Sequence, residues 1–426
     1  MKKYSVETIG CRLNQYETER IASDLNRAGF QRAGFGEEAD LYIINTCTVT
    51  GRADASSRNL VSRAARKNGN APVVVIGCYV DAEPEKVARL NGVDLVLRNA
   101  DKDHAVEIIR RSFPNLFDAD VEIAGEHCIS DFHQHNRAWI KIGDGCNQHC
   151  AYCIIPKVRG PVVNRPEEEI VSEIQALSDS GYREVVLTGV HIGKYRTDKA
   201  KTLAALLKMM IERTDMYRIR LSSIESQEIS NDLIETIAKS GKRICRHLHV
   251  PMQAGSDRIL KIMNRPYDSA KYLKKLEKIK AKIDGVIIGA DIIVGFPGES
   301  DDDFDESVRA AESGLIDYLH VFSYSDRPGT AASEMTEKVK PDVIKARNRI
   351  LREISVKHHA EALKREVGNM VEAISEYRTD KKDRRYYGMT DNYLRIRMPE
   401  EAGGGKDIVR LKAVGVKKGT LVGEKR

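Results

Sequence analysis

The chain has 426 residues, a formal charge of +6 and a pI near 8.7, with 41% apolar and 31% charged residues. That length supports two to four domains with sizeable cores, and the composition excludes a disordered protein. Eight cysteines, at 11, 47, 78, 128, 146, 150, 153 and 245, are too dispersed for a small disulfide scaffold and fit metal binding in a reducing compartment. The N-terminal Met1-Lys2-Lys3-Tyr4-Ser5-Val6-Glu7 lacks the apolar core of a signal peptide, and no segment has eighteen uninterrupted apolar residues. The expectation is a cytoplasmic protein without a membrane span.

Over residues 1–120, short apolar runs alternate with helical patterns: Tyr4 to Ile9 then Tyr16 to Ala28, Leu41 to Asn45 then Ala53 to Lys67, Val73 to Ile76 then Pro84 to Leu90. Asp94 to Leu97 and His104 to Arg111 add a fourth strand and helix. This rhythm predicts a parallel sheet with helices on both faces. Cys11, Cys47 and Cys78 each follow one of the first three strands. Ligand sites of open α/β sheets gather at the carboxyl ends of strands, so these thiols can converge on one edge as an iron-sulfur site one ligand short. The alternative is three separately buried small hydrophobes. The segments G-C-R-L-N-Q-Y-E-T-E, I-N-T-C-T-V-T and I-G-C-Y resemble the N-terminal domain of methylthiotransferases. That resemblance implies an auxiliary four-iron four-sulfur cluster held by Cys11, Cys47 and Cys78.

Residues Phe113 to His135 have weak periodicity and read as a connection; Cys128 within it, near Glu126, His127 and His133, reads as an incidental thiol. A strand over Arg137 to Ile142 then leads into C-N-Q-H-C-A-Y-C. Cys146, Cys150 and Cys153, at C-x3-C-x2-C, can hold three corners of an iron-sulfur cube and leave its fourth iron without a protein ligand. A zinc site would need a fourth ligand, for which His149 is the nearest candidate, but it adjoins Cys150 rather than standing at ligand spacing. The stretch resembles radical S-adenosylmethionine enzymes, whose open iron binds the amino and carboxylate groups of that cofactor.

Five further helix-then-strand units follow, with strands at Glu184 to Thr188, Arg218 to Ser222, Ile244 to Val250, Val286 to Val294 and Asp317 to Phe322. Six strands are too few to close an eight-stranded barrel, so a partial (βα)6 barrel with an open side is expected over residues 121–365. The strand-end loops carry Thr188-Gly189-Val190, R-L-S-S-I-E-S with Glu225, H-L-H-V-P-M-Q-A-G-S with Gln253, and D-I-I-V-G-F-P-G-E. A tight turn, a helix cap and satisfied histidines explain the first three equally well from composition. Together the loops resemble the methylthiotransferase branch over nearly the whole chain. The resemblance implies that Cys146, Cys150 and Cys153 carry the radical-generating cluster and that Gly189, Glu225 and Gln253 line the S-adenosylmethionine pocket.

Residues 366–426 change to short alternating stretches, at Met370 to Tyr377, Arg385 to Met389, Tyr393 to Met398 and Ile408 to Val414, which predict a small antiparallel β-barrel. From Gly368 onward Lys and Arg number 14 against 9 Asp and Glu, so most of the net charge resides here. Cations Lys381, Lys382, Arg384 and Arg385 interleave with tyrosines, as a surface for phosphates and unstacked bases would. A solvated hairpin is the alternative. The segment resembles the TRAM domain, an RNA-binding barrel of tRNA-modifying enzymes. The family thus implies a tRNA anticodon-loop substrate, two four-iron four-sulfur clusters, S-adenosylmethionine and an external electron donor. G-C-R-L-N-Q-Y-E-T-E looks most like the branch acting on N6-threonylcarbamoyladenosine-37. Branches acting on isopentenyladenosine or on a ribosomal-protein aspartate, and a non-catalytic iron-sulfur RNA binder, are the competing readings.

Overall fold

The computed structural model describes residues 1–118, 129, 131–379 and 386–425. Strands β1 (Lys3–Thr8), β2 (Gln31–Arg32), β3 (Leu41–Thr46), β4 (Val73–Gly77) and β5 (Leu95–Leu97) form a parallel sheet in the order β2-β1-β3-β4-β5. Every residue of β3 and β4 is buried, as expected of central strands covered on both faces. Helices α1 (Arg12–Arg27) and α5 (Ala105–Ser112) belong to one apolar core and α2 (Gly51–Ala65) to another. Short helices α3 (Cys78–Ala82) and α4 (Pro84–Ala88) follow β4. The anticipated parallel sheet is present, with the two-residue β2 as an edge the apolar pattern did not register.

Strands β6 (Ala138–Lys141), β9 (Glu184–Thr188) and β10 (Arg218–Leu221) form one parallel set, and β11 (His247–His249), β12 (Ile287–Val294) and β13 (Tyr318–Ser323) another. Parallel bridges Ile219↔Ile244 and Ser223↔His249 join them across β10 and β11. Six parallel strands therefore curve into an array, and among the described residues no pairing joins β6 to β13. Helices α7 (Glu167–Asp179), α8 (Leu203–Arg213), α9 (Asn231–Lys239), α11 (Ser269–Lys282) and α12 (Asp301–Ala311) supply the crossovers. Their starts are specified locally: Thr202, Ser230 and Asp268 accept the backbone N–H three residues on, and Ser300 with Asp303 makes a reciprocal capping box. Four features were not anticipated: helix α6 (Ile155–Arg159), the hairpin of β7 (Gly143–Asp144) with β8 (Val163–Asn164), and helices α10 (Asp257–Ile262) and α13 (Ala331–Glu334).

A 26-residue helix, α14 (Pro341–Glu366), packs on β13 and delivers Ala362 and Leu363 to the core of the last unit. That unit is a closed barrel of β14 (Met370–Thr379), β15 (Tyr386–Thr390), β16 (Arg395–Met398), β17 (Ile408–Lys417) and β18 (Thr420–Glu424). Four pairings are antiparallel, as expected, and the closure between β16 and β18 is parallel. Strand β18 escaped the periodicity because it returns through a two-residue turn, Lys418 (φ 50°) and Gly419 (φ 68°). The barrel sits against β10: Arg218 donates to the Met389 carbonyl (2.9 Å) and Arg220 to those of Thr390 (2.8 Å) and Asp391 (3.0 Å). Glu184, fully buried, holds both guanidiniums, at 2.5 and 2.8 Å.

Candidate functional site

The C-x3-C-x2-C segment is an excursion of the β7/β8 hairpin. Its ends are tied by the pairs Gly143↔Asn164 and Asp144↔Val163 and by Cys146 N–H to the Gly160 carbonyl (3.0 Å). Gly145 (φ +71°) must be glycine, because a Cβ there would lie 1.9 Å from the Pro161 carbonyl oxygen. Around the sulfurs, Gln148 N–H donates to Cys146 (3.3 Å), His191 Nδ1 lies 3.5 Å from Cys146, and Arg265 Nη1 donates to Cys150 (3.1 Å). Arg265 also pairs with Glu225 and lies over Tyr267. His149 is exposed, and its carbonyl accepts from Asn264 Nδ2 (2.9 Å).

Burial pushes the Cys153 thiol up to about 12, and the neighbouring Cys150 and Cys146 add to the rise. Cys150 is raised by burial too, against the pull of Arg265. Burial disfavours a charged His191, yet its bonds to Cys146 and Glu228 outweigh that and hold it up to about 9. Cys150 and Cys153 thus resist ionisation within a half-buried trio, and a positive centre among the three sulfurs is what would make thiolates of them. The residues therefore fit a soft, highly charged metal group.

Thiols Cys11, Cys47 and Cys78 follow β1, β3 and β4 respectively. Gly10 (φ +111°) brings the first two loops together, since a Cβ on it would meet the Cys47 Cβ at 2.7 Å and its sulfur at 3.0 Å. Gly77 (φ +102°) does the same for the third, where a Cβ would lie 2.7 Å from both Asn45 Oδ1 and the Thr46 carbonyl. Asn99 Nδ2 donates to the Cys78 sulfur (3.4 Å). Burial raises Cys47 to about 11, with contributions from Cys78 and Cys11, while Arg159 opposes it. The expected convergence at one sheet edge is realised, and this trio fits a second group of the same chemistry.

Among the described residues, three ligand atoms within 4.8 Å of one another occur at His249, Asp291 and His320, and neither cysteine trio is that tight. Sulfurs around one zinc ion would be closer, whereas the corners of a cube are not. His249 Nε2 (2.9 Å) and His320 Nδ1 (3.4 Å) share a single oxygen of Asp291.

A cavity of about 260 Å³ is lined by Val49 and Thr50, in the loop beyond Cys47, and by Tyr152, Cys153, Gln253 and Phe322. Gln253 holds a positive φ of 67°, with its N–H bonded to the Asp291 carbonyl (2.8 Å) and its carbonyl to Ile293 N–H (2.9 Å). Glu225 is drawn to Cys150 through Arg265. Gly189 has a different neighbour: a Cβ on it would lie 2.8 Å from the Gly143 carbonyl oxygen, so the chain's own backbone occupies that face. Lys381, Lys382, Arg384 and Arg385, like Cys128, lie outside the described residues. Arg159, His191 and Arg265 were missed from sequence, as no spacing ties them to either trio.

Residues 140–311 match the radical SAM superfamily, and residues 3–98 match a family described as uncharacterized protein family UPF0004. The threonylcarbamoyladenosine tRNA methylthiotransferase MtaB of Bacillus subtilis is 36% identical over 93% of this chain and 90% of that protein. The chain belongs to the radical SAM methylthiotransferase family. It is an enzyme of that class, with the four-iron four-sulfur cluster and S-adenosylmethionine that radical SAM membership implies. A tRNA-2-methylthio-N(6)-dimethylallyladenosine synthase from Carboxydothermus hydrogenoformans is 35% identical over 91% of each chain. The radical S-adenosylmethionine methyltransferase TsrM of Kitasatospora setae shares the fold, with TM-score 0.59 and 14% identity over 78% of this chain and 77% of that one. No helix among the described residues is long and apolar enough to cross a membrane.

Proposed function

We propose that this methylthiotransferase converts N6-threonylcarbamoyladenosine at position 37 of tRNA to its 2-methylthio derivative in the cytoplasm, drawing on an external electron donor. The observation that carries this reading is the cavity that Cys153 lines together with Val49 and Thr50 of the loop after Cys47. Cys146, Cys150 and Cys153 would hold the radical SAM cluster, and Cys11, Cys47 and Cys78 a second one. When bound, the first cluster supplies the electron that cleaves S-adenosylmethionine, and radical chemistry then opens an unactivated C–H bond that no side chain is basic enough to deprotonate.

Residues of the chain orient and shield. Arg265 neutralises Glu225 and donates to Cys150, and Gln148 N–H donates to Cys146. Gln253 and Tyr152 line the cavity where S-adenosylmethionine and the target base would have to meet. Gly189 acts in this reading through the loop it lets pack rather than by touching the cofactor. We divide the chain into residues 1–120 with the second cluster, 121–365 with the radical SAM barrel, and 366–426 as the RNA-binding barrel. The tail's excess of cations supports the last assignment.

The similarity to the C. hydrogenoformans enzyme supports an alternative, N6-isopentenyl-type adenosine as substrate. Anaerobically reconstituted enzyme, reductant, S-adenosylmethionine and tRNA carrying each modified base separate the two by mass spectrometry of nucleosides. The expected products are 2-methylthio-N6-threonylcarbamoyladenosine and 5′-deoxyadenosine. Methylthiolation of the isopentenyl base alone would favour the alternative, and absence of 5′-deoxyadenosine would sink both.

A further inference from the structure

Along β13, Leu319 and Val321 are buried, while Tyr318, His320 and Phe322 project from the opposite face. Large rings are left open there: Phe322 is 46% exposed and the His320 side chain 51%. The row is continuous. Phe322 to His320 is 6.4 Å between ring centroids, His320 to Tyr318 5.3 Å, and Tyr318 to Tyr393 6.3 Å at 27°. Gly289 on β12 leaves the space that Tyr318 fills, since a Cβ there would lie 2.1 Å from its ring. Asp291 Oδ1 fixes the His320 ring (3.4 Å).

Tyr393 reaches this row from the C-terminal barrel and is held in an unusual way. It has φ +69°, a conformation a bulky side chain adopts only at a cost. The two residues before it are pinned, Asp391 by Arg246 Nε (2.6 Å) and Asn392 by Glu366 (2.7 Å). The ring lies 4.2 Å from that of His247, and its hydroxyl accepts from Arg12 Nη2 (3.0 Å), next to Cys11. Phe322, at the other end, lines the cavity with Cys153.

We propose that Tyr393, Tyr318, His320 and Phe322 form a stacking platform for unstacked bases of the RNA substrate. This rests on the functional reading above and adds the surface that receives the RNA. Three observations choose the occupant. His320 and Phe322 are exposed beside the partly buried Tyr318 and Tyr393, the row runs from a cysteine of one trio to the neighbour of a cysteine of the other, and Arg12 adds a cation at one end. Bases splayed from an anticodon loop offer flat π faces, and stacking on aromatic side chains is how unpaired RNA is held without reading a groove.

The test uses full-length, cluster-loaded enzyme and an anticodon stem-loop RNA with 2-aminopurine in place of the target base. Wild-type enzyme should quench the fluorescence on binding. His320→Leu and Tyr393→Leu should each weaken binding about tenfold and lose most of the quench, with iron content unchanged. His320→Phe should restore both. Because Tyr393 also joins two units, the exposed His320 decides if Tyr393→Leu misfolds. Wild-type quench and affinity kept in both leucine variants would overturn the platform alone. Wild-type enzyme that neither quenches this probe nor methylthiolates the same stem-loop carrying N6-threonylcarbamoyladenosine at the target position would overturn the functional reading, and the platform with it.

Discussion

Arg159 on α6 and Glu17 on α1 join the two cysteine trios: Nη1 lies 3.0 Å from Oε1 and Nη2 3.2 Å from Oε2, with both side chains buried. Arg159 stands six residues after Cys153 and Glu17 six after Cys11, so each cysteine trio has one partner close behind it in the chain. Asp144 (2.8 Å) and Asn14 (2.5 Å) complete the guanidinium's contacts, and Lys102 (2.5 Å) and Lys141 (3.2 Å) complete those of the carboxylate.

This network predicts a large cost for losing its buried anion from α1. Burial alone would raise Glu17, but Lys102, Arg159 and Lys141 outweigh it and hold the carboxyl well below the usual range. Glu17→Gln leaves the buried Lys102 facing a neutral amide, while Asp144 remains to Arg159 and Lys141, and breaking a buried pair in this way costs about 3–5 kcal/mol. Urea unfolding should register that loss, with iron lost from the N-terminal trio. A change below about 1 kcal/mol would mean water already reaches the network.

The two trios should be separable by function. Cys150→Ala is expected to abolish 5′-deoxyadenosine formation, whereas Cys47→Ala should spare that cleavage and lose sulfur insertion. Each variant should lose one cluster's iron and sulfide on anaerobic reconstitution. Equal loss of cleavage and insertion in Cys47→Ala would show that the sites do not divide the labour.

Neutralising Lys381, Lys382, Arg384 and Arg385 together should weaken tRNA binding and flatten its salt dependence. Every phosphate that is no longer neutralised takes roughly 0.7 off the slope of log K against log salt for single-stranded RNA. An unaltered slope would take this segment off the RNA surface.

How much of this was legible depends on whether the signal is local. The βα rhythm and both cysteine trios could be read because strand ends and ligand spacing are written in short stretches such as Asn45-Thr46-Cys47 and C-N-Q-H-C-A-Y-C. Arg265 could not be read: it reaches Cys150 across 115 positions, and only the folded array makes them neighbours. Arg159 was hidden for the same reason, since its partners Asn14 and Glu17 belong to another unit. Gly189 shows the converse. Its missing side chain lets backbone come close to a bound group, and on the side where a Cβ would stand the neighbour is the Gly143 carbonyl. A glycine announces that something comes close without saying what.

His247 gives the fold a pH dependence whose sign follows from its surroundings. Burial pushes its pKa well below the ordinary 6.5, and Arg220, His249 and Arg12 add to the fall against a weaker pull from Glu184. The neutral ring is positioned by Nε2 at 2.8 Å from the Tyr318 hydroxyl, while Nδ1 has no hydrogen-bond partner among the described residues. Below pH 6.5 the unfolded chain binds a proton that the folded site refuses, so stability is full above that pH and falls beneath it. This group contributes up to about 1.4 kcal/mol per pH unit. His359, also lowered by burial, acts in the same direction and leaves some residual slope. In urea unfolding followed from about pH 7.5 down to about 5.5, His247→Phe should keep the ring packing and flatten the decline relative to wild type. A Phe variant with the wild-type slope would mean that the buried imidazole titrates alike in both states, and the Arg220 side of the barrel interior would then have to be open to water.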